Sequence, residues 1–225
     1  MIHSSTLENV KQVCQAGEMS RSYGQYCGLA RALDVVGDRW NLLIVRQLLT
    51  APARYRELLD GLPGVATNLL SDRLRDLEAA GVVERRLAEE GNVVVYALTP
   101  WGAELREPIE GLIRWSTPLM VRGPGGDRFR AEWFVVALPA LLGSRMAADS
   151  SSAMGVGVDG RLFQVRSTGS GVEVGPHDGR DLDAVLRADA AIVLGLAAGV
   201  LALDDVRGIV DIEGDETAVR AVFGV

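Results

Sequence analysis

The sequence predicts a mainly helical domain that ends in a β-hairpin, followed by a separate α+β domain. Apolar residues recur at helical spacing up to Gly81, alternate with polar residues after it, and alternate again in short glycine-separated runs beyond residue 150. Between these regions VRGPGGDR interrupts both patterns, which is typical of a flexible connection. The expected divisions are an extension at 1–20, a first domain at 21–122, a linker at 123–129 and a second domain at 130–225.

Length and composition suit two globular domains and exclude several classes of protein. The chain has 225 residues, of which 48% are hydrophobic and 24% charged, so each half can bury a core. The N-terminus shows no secretory signal, so a cytoplasmic protein is expected. The longest apolar run, at 190–203, is shorter than the roughly 20 residues that cross a bilayer, so no membrane segment is predicted. Two cysteines and two histidines make neither a disulfide framework nor a zinc site, and we predict no metal and no cofactor.

The net charge of −7 is unevenly distributed along the chain. Residues 21–122 carry 13 arginines and 13 acidic residues, whereas residues 123–225 carry 9 arginines and 15 acidic residues. The acidic excess therefore belongs mostly to the second half. A balanced first domain is compatible with nucleic acid, although the chain as a whole is acidic.

Three helices are predicted before the most informative segment. YCGLARALDVVG forms a helix that stops at Gly37, and DRWNLLIVRQLL forms a second one. Its apolar residues on one face are Trp40, Leu43, Ile44 and Leu48. ARYRELLDGLPG gives a short third helix that ends before Pro63.

The fourth helix, within VATNLLSDRLRDLEAAG, is expected over residues 67–80 and has two distinct sides. With about 100° of rotation per residue, Leu70, Leu74 and Leu77 form a narrow apolar stripe. The polar residues of the opposite side, which we call the polar flank, are Asn68, Ser71, Asp72 and Arg75. The leucines hold the helix against a core, so the polar flank faces outward.

Two β-rich runs, VVERR and NVVVYALT, follow Gly81 and are joined by LAEEGN, which predicts a hairpin with Gly91 and Asn92 at its turn. Helix-turn-helix followed by such a hairpin is a winged helix. In this arrangement one helix enters the major groove while its neighbour contacts the phosphate backbone.

The residue types of the polar flank suit base recognition. Arg75 can pair with guanine and Asn68 with adenine, while Thr67 and Ser71 suit bases or phosphates. Arg54 and Arg56, at the start of the third helix, suit phosphates. The alternative is that the flank is only the solvated side of a surface helix.

The assembled motifs resemble the HxlR-type family of winged helix-turn-helix regulators, relatives of MarR-like repressors, over about residues 26–120. The matching segments are Cys27, GDRW (37–40), RYREL (54–58), LPGV (62–65), LSDRLRDLEAAGVVER (70–85) and VVYALTPWGAEL (94–105). The resemblance implies a homodimeric DNA-binding transcription factor, more commonly a repressor, that binds a roughly palindromic operator.

The sequence departs from the family pattern on its DNA-facing elements. Ala66 stands where a serine usually caps the recognition helix, so Thr67 is expected to cap it instead. The tip of the wing carries Glu89 and Glu90, which phosphates repel. The remaining candidate contacts of the wing are Arg85, Arg86 and Asn92.

After the wing, Thr99 and Pro100 are a helix start, and Pro108 is expected to kink the helix that follows. Apolar residues recur along it at helical spacing: Trp101, Leu105, Ile109, Leu112, Ile113 and Trp115. The resemblance implies that this helix forms the homodimer. The alternative is packing within one chain.

Cys27 precedes the first helix, a position that can stabilise a thiolate. The resemblance implies that a cysteine here serves some family members as a sensor of oxidants or electrophiles. The alternative is a buried packing residue, and the nearest basic residue is Arg31.

The second half of the sequence predicts an α+β domain in which helices pack on a sheet. AEWFVVALPALLG predicts a helix interrupted near Pro139, and MGVGVDG, RLFQVRS and GVEVG predict a three-stranded meander. The run at 190–203 predicts a helix that is apolar almost all round, followed by a strand, GIVDIEG, and a short helix, ETAVRAVFG. The phrases VDGRLFQV, LRADAAIVLGLAAGVLALDDVRG and VDIEGDETAV resemble the sterol carrier protein type two fold over about 130–225.

That second resemblance implies an apolar cavity for a hydrophobic small ligand, with Ile192, Leu196 and Val200 as wall residues. The alternative is a filled core. An enzyme is not predicted, because His177 has no evident partner and the acids Asp204 and Asp205 follow a helix end. The alternative function is a lipid-binding or protein-docking module whose winged helix does not bind DNA.

Overall fold

The computed structural model describes residues 22–88, 91–120, 123–143, 153–168 and 171–224. The chain divides into two compact units between Ile109 and Glu110. This division lies inside a helix, upstream of the glycine-rich segment at 121–128. The placement of a linker at 123–129 stays a prediction.

The four predicted helices of the first unit are present. They are α1 (Gly28–Val36), α2 (Asn41–Thr50), α3 (Tyr55–Gly61) and α4 (Thr67–Ala79). The buried face of α2 consists of Asn41, Ile44, Val45, Gln47 and Leu48. Leu43 is 38% exposed, so its assignment to the same face as Ile44 and Leu48 is wrong. Val45 takes that place because residues i, i+1 and i+4 cluster around one side of this helix.

The leucine stripe of α4 is buried as predicted. Leu70, Leu74 and Leu77 are each at most 1% exposed. Removing each leucine side chain from water contributes about 1.5–3 kcal/mol to folding. The stripe therefore orients α4 and leaves its other side accessible.

The start of α4 differs from the expectation that Thr67 would cap it. Ala66 is the N-cap, with extended backbone angles, and no side chain accepts a hydrogen bond there. Thr67 is the first residue inside the helix. An N-cap needs a side-chain oxygen on the last non-helical residue, and the methyl group of Ala66 has none.

The predicted hairpin consists of β1 (Val83–Leu87) and β2 (Val94–Leu98), which pair antiparallel with Val83 opposite Leu98. Gly91 adopts a φ of 100°, a conformation that glycine tolerates best. Ala53, ahead of α3, exchanges two backbone hydrogen bonds with Tyr96 on β2 at 2.8 and 2.9 Å. Residues 89 and 90, where the acidic tip was predicted, lie outside the described residues.

The helix after the wing is divided into two pieces, α5 (Pro100–Ala103) and α6 (Arg106–Met120). Thr99 caps α5 as predicted, since its Oγ1 accepts a hydrogen bond from the Gly102 N–H at 3.0 Å. Pro108 lies in the first turn of α6, where a missing N–H costs nothing. The expected kink at Pro108 is therefore wrong, and the interruption precedes it.

The second unit has the predicted α+β composition. A 3-10 helix (Ala131–Trp133) leads into α7 (Phe134–Leu142), which continues through Pro139 rather than breaking there. The other helices are α8 (Ala190–Ala197), α9 (Leu203–Val206) and α10 (Glu216–Phe223). Within the described residues, no helix is both long and apolar enough to cross a membrane.

The five-stranded sheet has the order β5-β4-β3-β6-β7. The strands are β3 (Ala153–Val158), β4 (Arg161–Thr168), β5 (Gly171–Pro176), β6 (Ala184–Arg187) and β7 (Asp211–Gly214). β3, β4 and β5 form the predicted antiparallel meander, whereas β6 runs parallel to β3. The sequence reasoning missed β6, which has only four residues.

The core of the second unit lies between this sheet and its helices. Its fully buried side chains include Phe134 from α7, Met154 from β3, Leu186 from β6 and Phe223 from α10. Residues 190–203 do not form one helix, because α8 ends at Ala197 and Gly199 turns with a φ of 70°. Two backbone bonds close this end, from Gly199 to Leu196 and from Val200 to Gly195, which is the Schellman motif.

Candidate nucleic-acid interface

Most of the polar flank of α4 is accessible. Asn68, Asp72 and Arg75 are exposed, as is Thr67 at the start of the helix, whereas Ser71 is half-buried. None of them lies in the interior. The arrangement needed for a recognition helix, with leucines inward and hydrogen-bonding groups outward, is therefore present.

Ser71 differs from its neighbours because its hydroxyl bonds inside the protein. Its Oγ lies 3.1 Å from the Thr67 carbonyl oxygen and 3.2 Å from the Tyr55 Oη. The Tyr55 hydroxyl donates to the same carbonyl oxygen at 2.7 Å. The single hydroxyl proton of Ser71 is thus used within the protein, and the side chain joins α3 to α4.

Sequence reasoning missed Tyr55. Its phenol fixes the first turn of α4 against α3, so the angle between the two helices depends on this side chain. The available signal was an aromatic residue between Arg54 and Arg56, two side chains that point to solvent. An aromatic residue flanked by exposed charges on a short helix indicates packing against a neighbour.

Arg75 is paired with Asp72 on the flank itself. The Arg75 Nη1 lies 3.0 Å from the Asp72 Oδ1, and the two side chains are 72% and 52% exposed. Such an exposed pair adds little to stability. It does determine where the guanidinium is held when DNA is absent.

Arg73 is the second residue that sequence reasoning missed. Its side chain is only 16% exposed and forms ion pairs with Asp38, in the turn between α1 and α2, and with Asp76 at 3.2 Å. Position 73 falls at the edge of the leucine stripe, so helical spacing alone indicates a partly buried side chain there. The pair ties the middle of α4 to the GDRW segment.

The two arginines of α3 are accessible, as a phosphate-contacting role requires. Arg54 and Arg56 are both exposed, and Arg54 occupies the N-cap. The Glu57 carboxylate accepts a hydrogen bond from the Arg54 backbone N–H at 2.7 Å. This bond satisfies the backbone N–H of the N-cap residue, and the Arg54 side chain remains exposed.

Both predicted cations of the wing, Arg85 and Arg86, are exposed, but Arg85 is held in an ion pair. The Arg85 Nε donates to the Glu78 Oε1 at 2.7 Å, so this arginine links the wing to the end of α4. Burial and then the Glu78 carboxylate raise the pKa of Tyr96 beside this pair. Arg86 and Asn92 are exposed.

The predicted dimerisation residues occupy different environments. Trp101 and Leu105 are half-buried, Ile109 is buried, and Ile113 packs against the core of the second unit. Leu112 and Trp115 are exposed. Sequence reasoning missed Leu119, which lies seven residues after Leu112 and is also exposed.

Cys27 is exposed and is the N-cap of α1, so the alternative of a buried packing residue is wrong. The nearby backbone N–H groups of Ala30 and then Leu29 lower the pKa of its thiol. Both groups favour the thiolate, which is the reactive form.

The three candidate ligand-binding residues do not share one environment. Leu196 is fully buried in the core, Ile192 packs partly buried against it, and Val200 lies exposed beyond the end of α8.

The Asp204 carboxylate accepts hydrogen bonds from Arg220 at 2.6 Å and from Arg207 at 3.1 Å, and these bonds lower its pKa. In the described ranges no three His, Cys, Asp or Glu residues are grouped to hold a metal.

Comparison with known proteins places the similarity in the first unit and in the residues that follow it up to 123. Residues 35–123 match the family model of the HxlR-like helix-turn-helix. The transcriptional regulator YodB of Bacillus subtilis is 34% identical over 86 residues, which cover 38% of this chain and 77% of YodB. The regulator YvaP of the same organism is 38% identical over 88 residues, covering 39% of this chain and 82% of YvaP. The structure of reduced YodB is 31% identical with a TM-score of 0.37, covering 45% of this chain and 99% of YodB.

Proposed function

Because the chain belongs to the HxlR-like helix-turn-helix family of transcriptional regulators, we propose that it binds a roughly palindromic DNA operator through α4. The observation that carries this proposal is the polar flank, whose Asn68 and Arg75 are exposed while Leu70, Leu74 and Leu77 are buried behind them. Arg75 reads guanine and Asn68 reads adenine in the major groove. Arg54, Arg56 and Arg86 contact phosphates.

The experiment that tests this proposal is a gel shift of the purified protein on the DNA upstream of its own gene. We expect a discrete complex that survives an excess of unrelated duplex. Few exposed cations face the DNA, so the salt dependence is expected to be shallower than that of a strongly basic binder. Equal affinity for the upstream and the unrelated duplex would contradict the proposal and favour a docking role for the winged helix.

We further propose that the protein acts as a homodimer. The supporting observation is an apolar stripe on α6, formed by Leu112, Trp115 and Leu119, which are 48%, 76% and 72% exposed. Ile113, on another side of the same helix, packs inward. A two-fold dimer places two recognition helices about 34–36 Å apart, the spacing of successive major grooves on one side of the duplex.

Replacing Trp115 with lysine is expected to convert the dimer to a monomer, because it places a charge in the centre of the stripe. Light scattering coupled to size exclusion measures the mass, and the gel shift is expected to weaken in parallel. Glu107→Lys, an exposed change on the same helix outside the stripe, is the control. A wild-type protein that is monomeric at working concentration would contradict the dimer.

Within this proposal the usual outcome of operator binding is repression. The second unit acts as a sterol carrier-like module that binds a hydrophobic ligand and thereby changes operator affinity. A ligand can do this only if its affinity differs between the DNA-competent and incompetent states. Isothermal titration with fatty acids tests whether the second unit binds such a ligand, and the gel shift in their presence tests whether operator affinity changes. An absence of binding would favour a filled core.

A sensing role for Cys27 is supported by its exposure and by its place at the N-cap of α1. In a Cys14→Ser background, alkylation of Cys27 by iodoacetamide is expected to reach half its maximal rate at a lower pH than an ordinary thiol. This pH is expected to be lower because the N–H groups of Ala30 and Leu29 lower the thiol pKa, so the thiolate persists at lower pH. In urea the midpoint is expected to rise to the ordinary value. An unchanged midpoint on unfolding would contradict the proposed activation.

A further inference from the structure

We propose that Asp72 is the residue that sets DNA specificity, because it holds the Arg75 guanidinium ready for guanine and penalises DNA that lacks a matching base. This inference rests on the DNA-binding function proposed above. Its starting point is the contact of 3.0 Å between Arg75 Nη1 and Asp72 Oδ1 on the exposed flank of α4.

The pair leaves the recognition edge of the arginine available. A guanidinium carries five N–H donors in a planar fork, and the bond to Asp72 uses one of them, on Nη1. The edge formed by Nε and Nη2 keeps its donors. That edge matches the O6 and N7 acceptors of guanine, so Asp72 limits the orientation of the plane without occupying the atoms that read the base.

Only a few side chains of the polar flank can take part in reading bases. The hydroxyl proton of Ser71 is committed to Thr67 or Tyr55. Asn68, Asp72 and Arg75 lie within about 60° of one another around the helix axis, given about 100° per residue. Arg75 is the only cation of the polar flank, and its ion-pair partner among the described residues is Asp72.

Asp72 also places a negative charge where the phosphates approach. At a matching site Arg75 bonds to guanine and stays within reach of Asp72, so the carboxylate remains compensated. On other DNA Arg75 gains most by moving to a phosphate, which leaves Asp72 unpaired beside a polyanion. The carboxylate therefore weakens non-specific binding, which is mainly electrostatic, more than operator binding.

Because the pair is exposed, its effect on DNA binding can be measured without a change in the stability of the fold. Surface ion pairs of this kind contribute little to stability, so Asp72→Asn is expected to unfold at the same temperature as the wild type. The matched control is Asp211→Asn in the second unit. It removes the same charge from another exposed aspartate, whose nearest ion-pair contact is a longer 3.9 Å to Arg187.

The test compares wild type, Asp72→Asn and Asp211→Asn on the upstream operator and on unrelated duplex of equal length, by fluorescence anisotropy at several salt concentrations. Asp72→Asn is expected to bind the unrelated duplex about threefold to tenfold tighter, in the range of one added favourable phosphate interaction. Operator affinity is expected to stay equal or to fall, so the specificity ratio is expected to drop by about threefold or more. In Asp72→Asn/Arg75→Ala the ratio is expected to equal that of Arg75→Ala alone.

The outcomes separate the inference from the function it rests on. A wild-type protein with no preference for the operator overturns the proposed function itself. A selective wild type with an unchanged ratio in Asp72→Asn overturns only the role of Asp72. An equal change in Asp211→Asn assigns the effect to net charge and also overturns that role.

Discussion

Replacement of Leu74 by alanine is expected to lower the free energy of unfolding of the first unit by about 2–5 kcal/mol. Leu74 is 1% exposed and lies in the middle of the leucine stripe between Leu70 and Leu77. Truncation removes apolar contacts and leaves a cavity that a helix held on both sides cannot close. Operator binding is expected to fall with stability, because α4 loses its attachment to the core.

Urea unfolding followed by circular dichroism measures this change, with the transitions of the two units fitted separately. The matched control is Leu43→Ala in α2, since Leu43 is 38% exposed and is expected to change stability by less than about 1 kcal/mol. Equal losses in the two variants would show that Leu74 has no special part in holding α4.

Local residue patterns were sufficient to predict several features of this fold. The leucine stripe of α4, the position of the hairpin and the Thr99 cap all follow from residue patterns shorter than a few turns. Each such feature is indicated by residues close to one another in sequence. For that reason one sequence is enough to predict them.

The features that were missed depend on partners distant in sequence. Ser71 was expected to face DNA, but its hydroxyl bonds to Tyr55, sixteen residues earlier in the chain. Helical spacing places Arg73 at the edge of the leucine stripe, but its ion-pair partner Asp38 lies in a different turn and is not given by periodicity. Periodicity describes only the direction in which a side chain leaves its own helix. It contains no information on what lies there.

A short strand and an apolar run of uniform composition account for two other wrong or missing predictions. β6 has four residues and its place beside β3 depends on a parallel crossover, which local alternation does not report. The apolar run at 190–203 was predicted as one helix because its composition is uniform. Gly199 ends it through a left-handed conformation, and this glycine was the sequence signal for the helix end.

Arg75→Ala is expected to reduce operator affinity about tenfold to a hundredfold while changing affinity for unrelated duplex much less. The reason is that a bidentate contact to guanine contributes about 1–3 kcal/mol of discrimination against other bases. Arg54→Ala, which removes a phosphate contact, is instead expected to weaken binding to both duplexes alike and to reduce the salt slope by about 1. The comparison of these two variants separates base reading from backbone contact on the two helices of the helix-turn-helix.

The charge-matched control for Arg75→Ala is Arg180→Ala, which removes an exposed arginine from the second unit. Light scattering has to give the same mass for all variants, so that a lost dimer is not read as a lost base contact. A guanine in the operator whose substitution weakens the wild type but not Arg75→Ala identifies the base pair that Arg75 reads. If Arg75→Ala and Arg54→Ala lose affinity equally on both duplexes, the polar flank contacts only phosphates, and sequence recognition resides outside α4.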